Sequence, residues 1–157
     1  MLSNELIKIN LKNKLGHNFK EILQRELMIL MQINKCKNII QIKDVVRTGQ
    51  HFYIVFEYCE GGDLAGYLKK KERLSEKQVQ NIMKQIANGL KQLNKLRIVH
   101  RDLKLSNFLI SDDSENPTVK ICDFGLARQK TSKDSSVMFN TLWGTPIYMA
   151  PEVLNGK

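Results

Sequence analysis

Three short polar motifs, in a fixed order, constrain this chain more than any other feature of its sequence. They are HRDLKLSN at residues 100–107, DFG at 123–125 and APE at 150–152. Asp102 and Asp123 each follow a short apolar run, so we expect them at the ends of neighbouring short elements. There the two carboxylates, with the amide of Asn107 nearby, can converge on one site.

Composition excludes several classes of protein. The 157 residues are 42% hydrophobic and 26% charged, as in a soluble globular protein. No apolar run predicts a transmembrane segment and the first residues lack a signal-peptide core, so we expect a cytoplasmic protein. Three cysteines without CxxC spacing predict reduced thiols rather than zinc. The net charge of +9 comes mostly from lysines spread along the sequence without a nucleic-acid-binding motif, so no nucleic acid partner is predicted.

Periodicity predicts short strands around two amphipathic helices. The first helix carries apolar residues from Phe19 to Ile33, and the second follows the capping-box spacing of Ser75 and Gln78 and continues to about residue 95. The predicted strands are residues 5–10, 39–47, 51–57, 108–110 and 118–122.

Glu26 is an acidic residue on the apolar stripe of the first helix. The positions three and four residues away, 22, 23, 29 and 30, are all apolar, so no cation on the same helix can pair with it. Its partner must come from elsewhere, and Lys8 on the preceding strand is the natural candidate. The alternative is that Glu26 reaches past the helix edge into solvent.

The order and spacing of the three motifs resemble those of eukaryotic protein kinases, and HRDLKxxN resembles the serine/threonine branch. The segments EYCEGGDL at 57–64 and PIYMAPE at 146–152 look most like the autophagy-initiating kinases. The resemblance implies an α+β, protein-kinase-like fold. Residues 1–56 would be part of the small β-rich lobe, residues 57–62 the hinge, and residues 63–157 the first part of the mainly helical lobe.

The resemblance also implies roles for the motif residues. Asp102 would accept or orient the proton of an attacking hydroxyl, and Lys104 would reach the transferred phosphoryl group. Asn107 and Asp123 would hold the Mg²⁺ ions that bridge the phosphates of ATP. Taken singly, an Asp in such a loop is more often a turn cap and an Asn a turn former.

An ATP pocket is implied by the same resemblance. Lys8 and Glu26 would form the strand-lysine to helix-glutamate ion pair, the backbone of Glu57 and Cys59 would bind adenine, and Asp63 would face the ribose. The full set of implied ATP-binding residues is Lys8, Glu26, Glu57, Cys59, Asp63, Leu109 and Asp123.

Residues 129–141 are rich in Ser, Thr and Lys and have little apolar periodicity, which is typical of an activation loop. Thr141 is the preferred phosphorylation site, and its phosphate would need a cationic receiver. By resemblance this receiver is Arg101, with Arg128 as a possible second. Thr145 would lie in the loop that docks the substrate. The alternative for Thr141 is an unmodified, solvated loop residue.

Several departures from the family pattern accompany the match. Leu6 replaces a small residue before Lys8, where it would crowd the adenine pocket, and Leu105 replaces a proline, a tolerable change. The glycine-rich loop and the later helices of the family are missing, so a fragment is expected. The main hypothesis is therefore a serine/threonine kinase that uses ATP and Mg²⁺ on protein substrates. The alternative is a catalytically silent, kinase-like binding module.

Overall fold

A computed structural model of the chain describes residues 5–11, 19–33, 35–48, 51–130 and 144–155. For residues 5–11 and 19–23 and for Phe52 it describes the backbone alone. The strands are β1 (Glu5–Leu11), β2 (Ile42–Arg47), β3 (His51–Glu57), β4 (Ile98–Val99), β5 (Phe108–Ile110), β6 (Val119–Ile121) and β7 (Arg128–Gln129). The helices are α1 (Phe19–Ile33), α2 (Leu64–Lys71), α3 (Glu76–Lys95) and α4 (Pro151–Leu154). Short 3₁₀ turns cover Leu105–Asn107 and Pro146–Tyr148.

The larger sheet has the antiparallel order β1-β3-β2, which brings Lys8 opposite Ile54 and Leu6 opposite Phe56. Strand β2 begins at Ile42 rather than at the predicted residue 39. The reason is that the preceding residues pair elsewhere: Ile39 forms a parallel bridge with Ile121, and the amide of Ile40 donates to the Ile121 carbonyl at 2.9 Å. This segment therefore joins the larger sheet to the β5-β6 pair.

Helix α3 is the structural support of the motif region. Its predicted capping box is confirmed, since Ser75 and Gln78 exchange side-chain to backbone hydrogen bonds. Its buried residues face β6 and the 35–41 loop, and Gly89 allows the close approach. A Cβ at this position would lie 2.8 Å from the Ile121 side chain and 2.9 Å from the Asn38 carbonyl.

Helix α2 was not predicted, because its eight residues include a glycine and three consecutive lysines. It forms because Asp63 caps its first turn, accepting a hydrogen bond from the Gly66 amide at 2.9 Å, and because Leu64 and Tyr67 are buried. These side chains join one apolar core that extends from α1 through the Ile39 segment to α3 and the β5-β6 pair. None of the helices in the described part of the chain has the length and apolar composition of a membrane span.

Candidate active site

The HRD loop is tied to the residue before Asp123 by a buried histidine. His100 lies edge-on to Phe124, and its Nε2 is 2.8 Å from the Cys122 carbonyl oxygen. A carbonyl can only accept, so Nε2 carries the proton, while Nδ1 accepts from the Asp102 amide at 3.3 Å. Burial lowers the pKa of His100, which favours this neutral form. The imidazole thus holds the two predicted motifs against each other.

Both oxygens of the Asp102 carboxylate are held by neighbouring side chains. Oδ1 accepts from the Thr145 amide at 3.0 Å and from its hydroxyl at 2.7 Å. Oδ2 lies 2.8 Å from Lys104 Nζ and 3.1 Å from Asn107 Nδ2. Burial opposes the charge of Asp102, but the hydrogen bonds from Lys104 and Thr145 outweigh it, so its pKa lies below the ordinary value. The carboxylate is therefore ionised and fixed in orientation.

Lys104 and Thr145 form the other side of this cluster. Lys104 Nζ donates to the Thr145 hydroxyl at 3.0 Å, and its hydrogen bond to Asp102 raises the pKa of the ammonium group. Gly144 makes the approach possible: its φ is +127°, and a Cβ there would lie 2.6 Å from the Arg101 carbonyl oxygen. Lys104 and Thr145, which are 41 positions apart in the chain, thus meet at the Asp102 carboxylate.

Asn107 and Asp123 are placed side by side by the β5-β6 hairpin. The Cys122 amide donates to the Asn107 carbonyl at 2.9 Å, and Asp123 adopts a positive φ of 59° at the point where the chain leaves β6. Asn107 Nδ2 donates to the backbone and side chain of Asp102, which leaves Oδ1 as its possible metal ligand. One carboxylate and one amide oxygen suit Mg²⁺, which takes few protein ligands and completes its shell with water and phosphate.

The hinge residue Glu57 is fixed by an ion pair that sequence reasoning missed. Its Oε1 lies 2.9 Å from Lys120 Nζ and accepts from the Gln41 amide at 2.9 Å. Lys120 also donates to the Lys37 carbonyl at 3.0 Å. The Glu57 amide donates to Gln41, so an adenine contact at Glu57 uses its carbonyl oxygen. A lysine in the middle of a strand that is buried throughout was the available signal, because a buried cation requires a partner.

Three of the other implied ATP-binding residues, Cys59, Asp63 and Leu109, are near Glu57 in the chain or in the fold. Cys59 is buried, and burial together with the Glu57 charge raises the pKa of its thiol to about 11, so the thiol is protonated. Asp63 uses Oδ1 to cap α2 and forms an isolated bridge with Leu109. Cys59 therefore lies within the predicted hinge segment and Asp63 directly after it, while their contact with a nucleotide stays a prediction.

Glu26 is only 5% exposed, so it does not reach solvent at the helix edge. Its proposed partner Lys8 lies on β1, but the side chains of Lys8 and Leu6 fall outside the described part of the structure. The Lys8–Glu26 ion pair and the crowding by Leu6 consequently stay predictions. Leu105 is 38% exposed in its 3₁₀ turn, so its replacement of proline creates no crowding.

The Arg101 side chain bonds to the backbone of Leu126 and lies near the charges of two other arginines. Its Nε donates to the Leu126 carbonyl at 2.6 Å, whereas its Nη2 is buried without a hydrogen-bond partner among the described residues. Burial, followed by the charges of Arg128 and Arg25, lowers the pKa of Arg101 to about 10. Sequence reasoning did not identify Arg25 as a neighbour of Arg101, because nothing in the sequence of α1 indicates this tertiary contact. Thr141 lies outside the described residues.

These contacts place an oriented carboxylate, Asp102, beside Asn107 and Asp123, and comparison with known proteins gives the class of the protein. The sequence profile of the protein kinase domain matches residues 5–157, and the chain belongs to this family.

The similar proteins carry the names of serine/threonine kinases. The serine/threonine-protein kinase atg1 of Dictyostelium discoideum is 44% identical over 140 residues, covering 87% of this chain. The serine/threonine-protein kinase unc-51 of Caenorhabditis elegans is 42% identical over 144 residues, covering 86%. Serine/threonine-protein kinase 33 of Mus musculus is 40% identical over 154 residues, covering 94%. The predicted resemblance to serine/threonine kinases, including the autophagy-initiating group, is confirmed. The chain spans 20%, 16% and 31% of the lengths of these three relatives.

Proposed function

We propose that this chain carries the catalytic residues of a cytoplasmic serine/threonine protein kinase, which transfers the γ-phosphoryl group of ATP to Ser or Thr hydroxyls of protein substrates. The observation that carries the proposal is the cluster of Asp102, Lys104 and Thr145, in which every polar atom of the Asp102 carboxylate is oriented. Phosphoryl transfer depends on such positioning and charge placement rather than on covalent chemistry by the protein.

Asp102 accepts the proton of the attacking hydroxyl. Its lowered pKa keeps it ionised, and the bonds from Thr145 and Asn107 fix the direction in which it accepts. Lys104 lies 2.8 Å from the same carboxylate and neutralises charge on the incoming phosphoryl group. Mg²⁺, when bound, screens the charge of the ATP phosphates, and Asn107 Oδ1 and the Asp123 carboxylate are the groups that would hold it.

The adenine base binds at the hinge through the backbone of Glu57 and Cys59, with Leu109 in the same pocket and Asp63 near the ribose. The phosphates are positioned by Lys8, which pairs with Glu26. The support for this pair is the burial of Glu26, because a buried carboxylate needs a cation or several donors.

Phosphorylation of Thr141 regulates this site. The support is the incomplete coordination of Arg101, whose buried Nη2 has no partner among the described residues, with Arg128 and Arg25 close enough to lower its pKa. A phosphate placed among the three guanidinium groups would satisfy the buried donor and remove the repulsion. Because Arg101 directly precedes Asp102, its orientation bears on the catalytic carboxylate.

The test is Asp123→Asn in the full-length protein, assayed for incorporation of phosphate from labelled ATP into a Ser/Thr protein substrate. We expect turnover to fall by at least about a hundredfold, since the variant loses the charge that holds the metal ion. The control is Asp113→Asn, which alters an exposed carboxylate paired with Lys70 and is expected to leave turnover unchanged.

The turnover of these proteins also distinguishes the kinase hypothesis from the alternative hypothesis of a catalytically silent binding module. If Asp123→Asn folds normally and retains turnover, the metal assignment is wrong. If the unmodified and the Thr141-phosphorylated proteins both lack turnover above that of Asp123→Asn, the silent, kinase-like module is the correct interpretation.

A further inference from the structure

A basic groove lies on the outer face of α3, away from the candidate active site. It encloses about 910 Å³ and is lined by α3, the 35–41 loop and the turn before β6. Lys37, Lys77, Lys84 and Lys91 line it, and none of the lining residues is acidic. In the sequence these lysines look dispersed, whereas the helix collects Lys77, Lys84 and Lys91 on one face because they recur every seven residues.

The four lysines present an uncompensated positive charge. All are exposed, and within the described residues none of them takes part in an ion pair. The acidic residues Glu76 and Glu115 neighbour the groove in sequence but do not line it. Such a concentration of one sign of charge raises the local concentration of a partner of opposite charge.

A rigid network of amide groups forms the floor of the groove. Asn38 donates to Gln85 at 3.0 Å and to the Val119 carbonyl at 2.9 Å, and it accepts from Asn88 at 2.8 Å. Gln85 in turn donates to the Pro117 carbonyl at 3.0 Å. The floor is thus fixed before any partner binds, which lowers the entropic cost of binding.

We propose that this groove binds an acidic peptide segment of a partner protein in an extended conformation. The lysines would pair with its carboxylates, and the amide side chains of Gln80 and Asn81 on the groove wall can donate to and accept from its backbone. Lysines seven residues apart on α3 are about 10.5 Å apart. An extended chain in the polyproline II conformation advances about 3.1 Å per residue with three residues per turn, so acidic residues at every third position lie on one face, about 9.3 Å apart, and would face successive lysines.

The lining favours a peptide over other anionic partners. Stable binding to a membrane takes apolar side chains that insert between lipids in addition to positive charge, and the lining offers only Ala87 and Pro117. Single-stranded nucleic acid is bound by aromatic stacking and by arginine, and neither aromatic residues nor arginine line the groove. The proposal does not depend on catalysis, because no residue of the groove belongs to the candidate active site.

The test titrates a fluorescently labelled peptide with the full-length protein and measures the fluorescence anisotropy of the peptide. The peptide has Glu at every third position, and Ser and Gly occupy the positions between the Glu residues. We expect Lys77→Gln/Lys84→Gln/Lys91→Gln to weaken binding at least about tenfold, because three ion pairs are lost together. The matched control is Lys43→Gln/Lys69→Gln/Lys95→Gln, which removes the same charge from exposed sites elsewhere. We expect it to change the dissociation constant less than about twofold. Both variants alter exposed side chains, so their thermal unfolding should match that of the parent protein.

Three results would overturn the proposal. One is the absence of peptide binding even at low salt, where charge attraction is strongest. Another is an equal loss in the control variant, which would mean that net charge alone attracts the peptide. The third is tighter binding, at the same salt concentration, of a uridine homopolymer or of vesicles of phosphatidylserine and phosphatidylcholine in equal amounts.

Discussion

Two neighbouring residues of one loop, Arg101 and Asp102, lie in opposite electrostatic environments. The Asp102 carboxylate receives hydrogen bonds from Thr145, Lys104 and Asn107, and these bonds lower its pKa. The Arg101 guanidinium has a buried Nη2 without a partner in the described part of the chain, and two further arginines contribute to lowering its pKa to about 10. The carboxylate is fully coordinated, whereas the residues that the structure describes coordinate the guanidinium only in part, although the two backbones are adjacent.

The contrast indicates which part of the loop is prepared in advance. A coordinated charge is already in its working orientation and costs no rearrangement when substrate binds. A partly buried cation near like charges raises the free energy of the folded state until an anion arrives. Under the proposed function, the same turn would hold a preorganised catalytic group, Asp102, and a phosphate receptor, Arg101.

The largest expected effect comes from removing the coordinated charge. Asp102→Asn should lower phosphoryl transfer by about 10²–10⁴, the usual contribution of a positioned general base. An amide also brings donor hydrogens towards Lys104 and Thr145, so the free energy of unfolding should fall by about 1–3 kcal/mol. Steady-state kinetics and urea unfolding measure the two effects. An Asp102→Asn protein with near-normal turnover would show that coordination of this carboxylate serves structure alone.

The Glu57–Lys120 ion pair is a second coordinated charge. It tests whether removing the partner of a coordinated charge also lowers the free energy of unfolding in the predicted hinge segment. Lys120→Met leaves Glu57 without its cation at 2.9 Å and should lower the free energy of unfolding by about 2–4 kcal/mol. The Glu57→Gln/Lys120→Met protein should recover part of this loss, because no charge is then left unpaired. Urea unfolding of the two single variants and the double variant measures the coupling. Additive losses would mean that the pair is not energetically significant.

Arg101→Met should have the opposite sign and a smaller size. Without phosphate on Thr141, an apolar side chain removes the cost of burying the charge and the repulsion by Arg128 and Arg25. This relief exceeds the loss of the Nε hydrogen bond to the Leu126 carbonyl, so we expect a net gain of at most about 1 kcal/mol. Phosphorylation of Thr141 should then stabilise the parent protein but not the variant. Thermal unfolding of both forms checks this, with Arg25→Met as the companion variant. A loss of stability in unphosphorylated Arg101→Met would contradict the proposed difference between the coordinated Asp102 and Arg101, which the described residues coordinate only in part.

The sequence was sufficient for the parts of the site that depend on local order. The spacing of HRDLKLSN and DFG predicted the convergence of Asp102, Asn107 and Asp123, and the capping box predicted the start of α3. It was not sufficient for Lys120 or Arg25, because their partners are distant in the chain and only tertiary packing brings them together. The grouping of Lys37 with the α3 lysines was missed for the same reason. Lys8 and Thr141 remain predictions.

The last prediction concerns pH, where His100 rather than its charged neighbours Arg101 and Asp102 sets the change in stability. Burial lowers the pKa of folded His100 below its unfolded value of about 6.5. Between these two values the unfolded chain binds more protons, so stability falls as pH decreases from 6.5 towards 5, by at most about 1.4 kcal/mol per pH unit. The contribution of Asp102 is retained over this range, because its pKa lies below the ordinary value near 3.9 and its stabilisation is lost only at more acid pH. Urea unfolding at pH 7, 6 and 5 should therefore show a free energy of unfolding that decreases with decreasing pH in the parent protein. The His100→Gln substitution should largely remove this dependence on pH. The control substitution His51→Gln, in the β2-β3 hairpin, should leave it in place. An unchanged slope in His100→Gln would mean that the neutral imidazole between Cys122 and Asp102 does not control acid stability.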